Sequence, residues 1–307
     1  MISIVIVNWN SGTLLENCVR SLLANAAGRE IIIVDNASVD SSLNFAGKIG
    51  TNLLILRNDR NIGFAAANNL GWQAGKGDSI LFLNPDTECL PESAERLEQT
   101  LKSSAAIWAV GGRLMSPAGK PQLNFNVQSF PSVASVASEM LGIDEIWPLN
   151  PWCRRMRIGN AERALDVDQP AAACLMVSRS ALEFIGGFDG AFYPAWFEDV
   201  DLCRRIRNQG GRIQYEPNAA FLHHGGYSLD RMSLQDFLES FHTNQIRYFG
   251  KHCGPEAALR VKRLILLGLY IRAGISIFHA PAGNISRAAA SKMFRGAARS
   301  IMKVSTV

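Results

Sequence analysis

Dense apolar runs alternate with stretches of helical period through the first third of the chain. Ile2–Val7 is a short apolar run of the kind that forms a strand buried on both faces. Residues 13–24 then place Leu14, Leu15, Cys18, Val19, Leu22 and Leu23 at helical spacing, behind Ser11-Gly12-Thr13 as a capping segment. Ile31–Val34 and Leu53–Leu56 read as two further buried strands. Residues 64–74 read as a helix stopped by Gly75 and Gly77, and Ser79–Leu83 as a fourth strand. An amphipathic helix opened by Pro91 is expected over 91–103, and a fifth strand over Ile107–Val110. This alternation predicts an α/β protein: a mostly parallel, Rossmann-like sheet with helices on both faces.

The pattern loosens over residues 115–165, which are rich in Pro, Trp and Ser. Ser116-Pro117-Ala118-Gly119 reads as a turn between two strands, and the remainder as an irregular, mobile insertion. Order returns with a strand at Ala173–Ser178 and a helix at Ser180–Ile185 ended by Gly186-Gly187. A second helix spans Glu198–Asn208 and stops at Gly210-Gly211. Arg212–Tyr215 and Ala219–Leu222 read as short strands on either side of Pro217. Residues 233–249 predict a helix with Leu234, Phe237, Leu238, Phe241 and Tyr248 on its apolar face.

Composition narrows the class. With 48% hydrophobic and 19% charged residues in 307, collagen-like, low-complexity and wholly disordered chains are excluded. The net charge of +4 gives no reason to expect nucleic acid as a partner. Its distribution says more: residues 251–307 hold 10 Lys/Arg and 1 acid, so residues 1–250 carry −5 and the tail +9. The six cysteines form no CxxC pair and suit neither a zinc site nor a disulfide scaffold. Met1 runs straight into a strand, without a basic region and long apolar segment, so a cytoplasmic setting is expected.

In open α/β sheets ligands bind beyond the carboxyl ends of the strands. Polar clusters stand at four such ends: Asn8-Trp9-Asn10, Asp35-Asn36-Ala37-Ser38, Arg57-Asn58 and Asn84-Pro85-Asp86. Together they predict one polar crevice. No GxGxxG follows the first strand, no GxxxxGK[ST] is present, and there is no GxSxG elbow. Dinucleotide-binding, P-loop and hydrolase readings therefore fall away.

What remains is an ordered set: Val5–Asn10, Val34–Asp40, Asn61-Ile62-Gly63-Phe64-Ala65, Leu83–Asp86, Glu198–Arg204 and His223–Ser228. In this set and order the chain resembles the inverting glycosyltransferases of family 2, with the GT-A fold, over about residues 1–250. Its nearest likeness is to the bacterial rhamnosyltransferase-like subset. The resemblance implies a GT-A domain over 1–250, divided into a nucleotide-sugar half (1–113) and an acceptor half (114–250), followed by a helical tail. It implies a transfer from a dTDP-sugar, dTDP-L-rhamnose above all, or from a UDP-sugar. The acceptor it implies is a lipid-linked saccharide of surface-polysaccharide synthesis, used at the inner face of the plasma membrane.

The same resemblance distributes roles. Asn8, Asn10, Asp35, Asn61, Gly63, Asn84 and Asp86 fall at the donor, with Asp35 accepting the N3–H of uracil or thymine. Asn84-Pro85-Asp86 occupies the DxD position with its first Asp replaced by Asn, leaving Asp86 as the ligand for Mn2+ or Mg2+. His223 completes the metal site, with His224 as its rival, since adjacent strand residues point to opposite sides. Asp199 is the general base, Glu198 and Asp201 orient the helix or contact the acceptor and Arg204, and Trp196 stacks on an acceptor sugar or serves the core or a lid. Three acids at a helix start are also what the helix dipole alone favours.

The tail has its own pattern. Leu264–Ile271 is apolar but ends at Arg272, too short to span a bilayer. Past a cap at Asn284 or Ser286, Lys292, Arg295, Arg299 and Lys303 share one side of a helix. Ala290, Met293, Phe294, Ala297 and Ile301 share the other. Residues 255–307 are therefore expected either to meet an anionic membrane surface through this basic amphipathic helix, or to pack that helix on the catalytic domain with its basic face in water.

Overall fold

The computed structural model describes residues 1–25, 28–48, 53–148, 150–153, 163–225, 232–278 and 286–306. Residues 226–228 of the His223–Ser228 stretch, Asn284 and part of the 115–165 insertion lie outside them. Among the described residues the strands are β1 (Ile2–Asn8), β2 (Glu30–Asp35), β3 (Leu53–Arg57), β4 (Ser79–Leu83), β5 (Thr87–Cys89), β6 (Ile107–Met115), β7 (Val127–Gln128), β8 (Leu165–Asp166), β9 (Gln169–Pro170), β10 (Cys174–Ser178) and β11 (Arg212–His223). The helices are α1 (Thr13–Asn25), α2 (Phe64–Ala74), α3 (Ser93–Lys102), α4 (Leu123–Asn126), α5 (Val133–Met140), α6 (Ile143–Ile146), α7 (Arg179–Ile185), α8 (Glu198–Asn208), α9 (Leu234–Cys253), α10 (Pro255–Phe278) and α11 (Arg287–Lys303).

The chain divides into two compact units. The first takes in residues 1–130, 155–194 and 198–227, and the second residues 131–154, 195–197 and 228–307. The first unit holds a sheet of order β3-β2-β1-β4-β10-β6-β11-β5, with β8 beside β11. Its first four strands are parallel, β10 runs antiparallel to both neighbours, and β11 is parallel to β6. Alternation along β1 divides the core. Ile2, Ile4 and Ile6 pack with Leu15, Val19 and Leu22 of α1 and Leu97 of α3. Val5 and Val7 pack with Ala65, Ala67 and Trp72 of α2 and Leu202 and Ile206 of α8. Strands covered on both faces are why these segments read as continuous apolar runs.

Three expectations are revised. Residues 212–223 form one strand, not two, with a register shift between Glu216 and Ala220 that absorbs Pro217. The insertion is not irregular throughout: Ser132 caps α5 with a reciprocal capping box to Ser135. The boundary at residue 250 does not hold either, because α9 belongs with the helices that follow it.

The second unit is helical, with α10 packed against α5, α9 and α11. Two cations of α10 cap its neighbours. Lys262 Nζ donates to the carbonyls of Met302 and Val304, and Arg272 to those of Glu139 and Met140. Each meets the negative end of a helix dipole. The apolar side of α11 is occupied by protein: Ala290, Phe294, Ala297 and Ile301 are buried, while Lys292, Arg295, Arg299 and Lys303 face outward. That side is spent on the unit's own core and is not presented to a bilayer.

His242 of α9 is buried, with Nδ1 2.9 Å from Gln245 Oε1. Burial, opposed by Gln245 and assisted by Arg272, pushes its imidazole down to about 4 from 6.5. The folded state therefore holds His242 neutral while the unfolded chain binds a proton as pH falls through 6.5. The stabilisation is complete above pH 6.5 and is lost as pH drops towards 4, a change of about 3 kcal/mol. Thermal melts across pH 7 to 4 are expected to show this loss, and His242→Gln to flatten it. A slope unchanged in the variant would exclude His242 as its source.

Candidate functional site

The carboxyl ends of β1, β2 and β4 lie along one edge of the parallel half-sheet. Asn8 stands in register with Asp35, and Ile6 with Leu83, so both polar clusters leave the sheet on the same side. Two strand spacings, about 10 Å, separate β2 from β4.

At the β2 end, Asp35 is held rather than free-standing. Asn8 is completely buried, its amide nitrogen 2.7 Å from Asp35 Oδ1 and within 3.0 Å of the hydroxyls of Ser38 and Ser42. Asp35 Oδ2 accepts the Ser38 N–H at 3.3 Å. Asn10 clasps the same loop: its N–H donates to Ser38 Oγ, and its Oδ1 accepts from Val39 N–H. The structure thus places Asn8 and Asn10 in the seat of Asp35. Complete burial corrects the expectation that Asn8 touches the donor itself.

Asn61 Oδ1 accepts the Gly63 N–H at 2.9 Å, which shapes the entry to α2. Gly63 has φ 86°, and a Cβ there would lie 2.8 Å from the Tyr193 ring. The close approach that Gly63 permits is therefore made by Tyr193 and Pro194. The Phe64 N–H, the first donor of α2, is taken by the Pro194 carbonyl at 2.8 Å. Beside this junction a cleft of about 330 Å³ is lined by Arg60, Asn61, Ile62 and Tyr193. Arg60 and Tyr193 escaped the reading of the sequence, since neither belongs to a repeated pattern.

At the β4 end, Asn84 N–H donates to the Ala173 carbonyl, and the Asn84 side-chain oxygen is buried without a hydrogen bond. Asp86 is buried, and its Oδ1 also lacks a hydrogen-bond partner. It lies 3.6 Å from Nε2 of the buried His223. Strand β5 creates this meeting, because Thr87 pairs with His223 in the β5–β11 ladder. Gln122 fixes the proton on the ring. Its Nε2 donates to the His223 carbonyl at 2.9 Å, which turns its Oε1 to His223 Nδ1 at 2.7 Å. Nδ1 is then the protonated nitrogen, and the Nε2 lone pair faces the carboxylate. Burial lowers the His223 pKa against the pull of Asp86, and His224 adds to the fall. Two acceptors facing each other without a proton between them fit a divalent cation, with the imidazole oriented from behind. His224 turns away, its Nε2 2.9 Å from Glu88 Oε1, so His223 is the ring that meets Asp86. Among the described residues no three His, Cys, Asp or Glu side chains converge on one point. The protein side of such a site is this pair.

Asp199 opens α8. Its Oδ2 accepts from Ala172 N–H and Gln169 Nε2, each at 3.2 Å, and its Oδ1 from Val200 N–H at 2.8 Å. Ala172 adjoins Ala173, whose carbonyl holds Asn84, so this carboxylate is tied to the β4 end. Its neighbours are withdrawn. Glu198 is buried, and burial, with the charges of Asp199 and Asp201, pushes its carboxyl well above the usual range. Asp201 is fully buried and accepts from Arg205 Nε at 2.8 Å. Arg205 in turn donates to the carbonyls of Ile185 and Gly187, which fastens α8 to the end of α7. Asp201 therefore orients α8 through Arg205, with Glu198 buried beside it. Trp196 and Phe197 both adopt positive φ, at 74° and 71°, and Trp196 packs edge-on against Phe237 at 5.0 Å.

Residues 3–162 match glycosyl transferase family 2. The chain belongs to this family. It is 28% identical over 274 residues to the N-acetylglucosaminyl-diphospho-decaprenol L-rhamnosyltransferase of Mycobacterium tuberculosis, covering 83% of this chain and 86% of that one. It is 24% identical to the low-salt glycan biosynthesis hexosyltransferase Agl10 of Haloferax volcanii, over 69% of this chain and 63% of that protein. Its fold resembles GalNAc-T7 solved with UDP, GalNAc and Mn2+, with TM-score 0.60, 16% identity and coverage of 97% of this chain and 54% of that one. It also resembles the mannosyltransferase PcManGT of Pyrobaculum calidifontis, with TM-score 0.57, 12% identity and coverage of 98% and 87%. The glycosyltransferase is thus a GT-A enzyme whose central sheet is parallel in one half and mixed in the other.

Proposed function

We propose that this glycosyltransferase transfers L-rhamnose from dTDP-L-rhamnose, with inversion, to a hydroxyl of a lipid-linked saccharide at the cytoplasmic face of the membrane. The observation that carries the reading is the convergence at the end of β4, where Ala172–Ala173 ties Asp199 to the turn after the strand, which carries Asn84 and Asp86. The likeness to the mycobacterial rhamnosyltransferase over most of both chains supports the sugar and the acceptor class.

In this reading Asp35 accepts the N3–H of the base, having lone pairs to spare beyond those used by Asn8 and Ser38. Asp86 and His223 would hold Mn2+ or Mg2+, which supplies neutralisation of charge on the departing nucleoside diphosphate. Asp199 takes the proton of the acceptor hydroxyl as its oxygen attacks the anomeric carbon. The new carbon–oxygen bond forms opposite the breaking bond to the diphosphate, which inverts the centre. Burial disfavours a charge on Glu198, so proton transfer at this turn falls to the half-buried Asp199.

The test is transfer of labelled rhamnose from dTDP-L-rhamnose to N-acetylglucosaminyl-diphospho-polyprenol, with UDP-sugars alongside. Product from the dTDP donor supports the proposal, and product from a UDP-sugar alone replaces the donor. No transfer or donor-stimulated nucleotide release with any of them overturns it. Asp35→Asn presents an amide to the base N3–H and is expected to raise the donor KM about ten- to a hundredfold, with kcat changed far less. An unchanged KM would remove Asp35 from base recognition.

A further inference from the structure

The helical unit presents a face with no place in the transfer chemistry. Along α10, Ala258, Val261, Ile265 and Leu269 are buried at helical spacing. The opposite side changes character half-way. Arg260 and Arg263 are exposed in its first half, but from Leu267 onward that side carries Leu267, Tyr270, Ile271 and Ile275, all exposed. Ile275 is 55% exposed and Ile277 57%. Arg272, the one charge in this half, is turned inward to cap α5.

The segment leaving α5 adds to this face. Gly268 of α10 abuts Met140 so closely that a Cβ would lie 2.5 Å from the methionine methyl. The chain then runs through Leu141 into a short loop in which Asp144 is drawn in, accepting from both Ser138 and Asn150, while Glu145 stays exposed. Its apolar side is left outward: Ile146 is 87% exposed, Trp147 52% and Trp152 45%. A hydrogen-bonded loop that holds two tryptophans and an isoleucine in water is a built presentation of apolar surface.

We propose that the second half of α10 and the loop residues 141–148 and 150–152 enter the interfacial layer of an anionic bilayer, with Arg260 and Arg263 at its headgroups. Tyr and Trp beside aliphatic side chains are the composition that settles at that depth. Charge selects the bilayer over a second copy of the chain. Residues 251–307 offer one acid, Glu256, already 3.7 Å from Arg260, so a copy docked helix to helix on this face would set arginine against arginine, and the one exposed acid of the loop, Glu145, is outnumbered. Anionic headgroups supply it. No helix among the described residues is long and apolar enough to cross a membrane, which leaves a surface-lying element. The contact surface is thus not the amphipathic side of α11 that the sequence suggested.

The test is flotation of the full chain with vesicles of phosphatidylcholine alone or mixed with phosphatidylglycerol, without donor or acceptor. It is therefore decided separately from the transfer reaction. The protein is expected to float with the mixed vesicles, with tryptophan emission quenched by brominated lipid. Ile146→Glu with Ile275→Glu is expected to lower partitioning by about tenfold or more. Arg260→Gln with Arg263→Gln is expected to lower it several-fold and weaken its salt dependence. The proposal is overturned if the wild-type chain stays unbound at low salt, or if the folded Ile146/Ile275 variant floats unchanged. It is equally overturned if the wild-type chain is a dimer that this variant converts to a monomer.

Discussion

Asp199→Asn is expected to cut sugar transfer by about a thousandfold while leaving nucleotide-sugar affinity close to wild type. The magnitude follows from removing a positioned general base, worth about two to four orders of magnitude. The substitution conserves size, and an amide oxygen can still accept from Ala172 N–H or Gln169 Nε2, so the turn keeps its shape. Calorimetric donor titration and single-turnover transfer on the same preparation separate the two effects. Glu198→Gln is the matched control. Burial already disfavours a charge on that carboxyl, so an isosteric amide is expected to cost little. Transfer by Asp199→Asn within tenfold of wild type would remove it from the mechanism, and equal losses in both variants would point to disruption of the turn.

Asp86→Asn is expected to lower transfer by about a hundredfold or more and to raise the Mn2+ concentration needed for half-maximal rate. In the proposed site Asp86 and His223 are the two groups among the described residues that would hold the cation, so loss of the carboxylate leaves the imidazole alone. Gln122→Ala reaches the same place from behind. It releases the proton on His223 Nδ1 and is expected to weaken metal affinity about ten- to a hundredfold. Saturating metal should then restore kcat for Gln122→Ala but not for Asp86→Asn. Chelation should abolish transfer and added Mn2+ should restore it. Activity that survives exhaustive chelation would exclude the cation, and with it the meaning given to the Asp86–His223 pair.

These two predictions mark what the sequence made legible. The parallel half of the sheet was readable because each strand is buried on both faces and each helix carries one apolar stripe. Asp86 stood out because its motif follows a predicted strand, and Asp199 because it opens a predicted helix in a stretch that resembles the family. Gln122, Gln169 and Ala172 did not, since no periodicity marks a side chain that acts only after the chain has turned back on itself. Strand β5 was invisible for a related reason. Three residues carry no measurable alternation, and the pairing that brings His223 to Asp86 joins positions 136 apart, as Thr87 and His223 show. Asp201 left two readings open, because an acid that locks Arg205 to the end of α7 looks in sequence like one that meets a substrate. The tail was read correctly as helical and basic, but which of its helices has a free apolar side depends on packing that no helical wheel contains.

The dipeptide Ala172–Ala173 sets a rule for how this enzyme can diversify. One peptide's N–H addresses Asp199, and the next residue's carbonyl addresses Asn84. Removing or adding a single residue there would exchange donor for acceptor at both contacts and separate the two halves of the chemistry. Size is constrained as well, because Ala172 and Ala173 are both buried and Ala173 packs in the core, so a larger side chain at either would be forced against its neighbours. Backbone contacts thus fix the length of this dipeptide and packing fixes its bulk, so the join between the two halves of the site has little room to change in either respect.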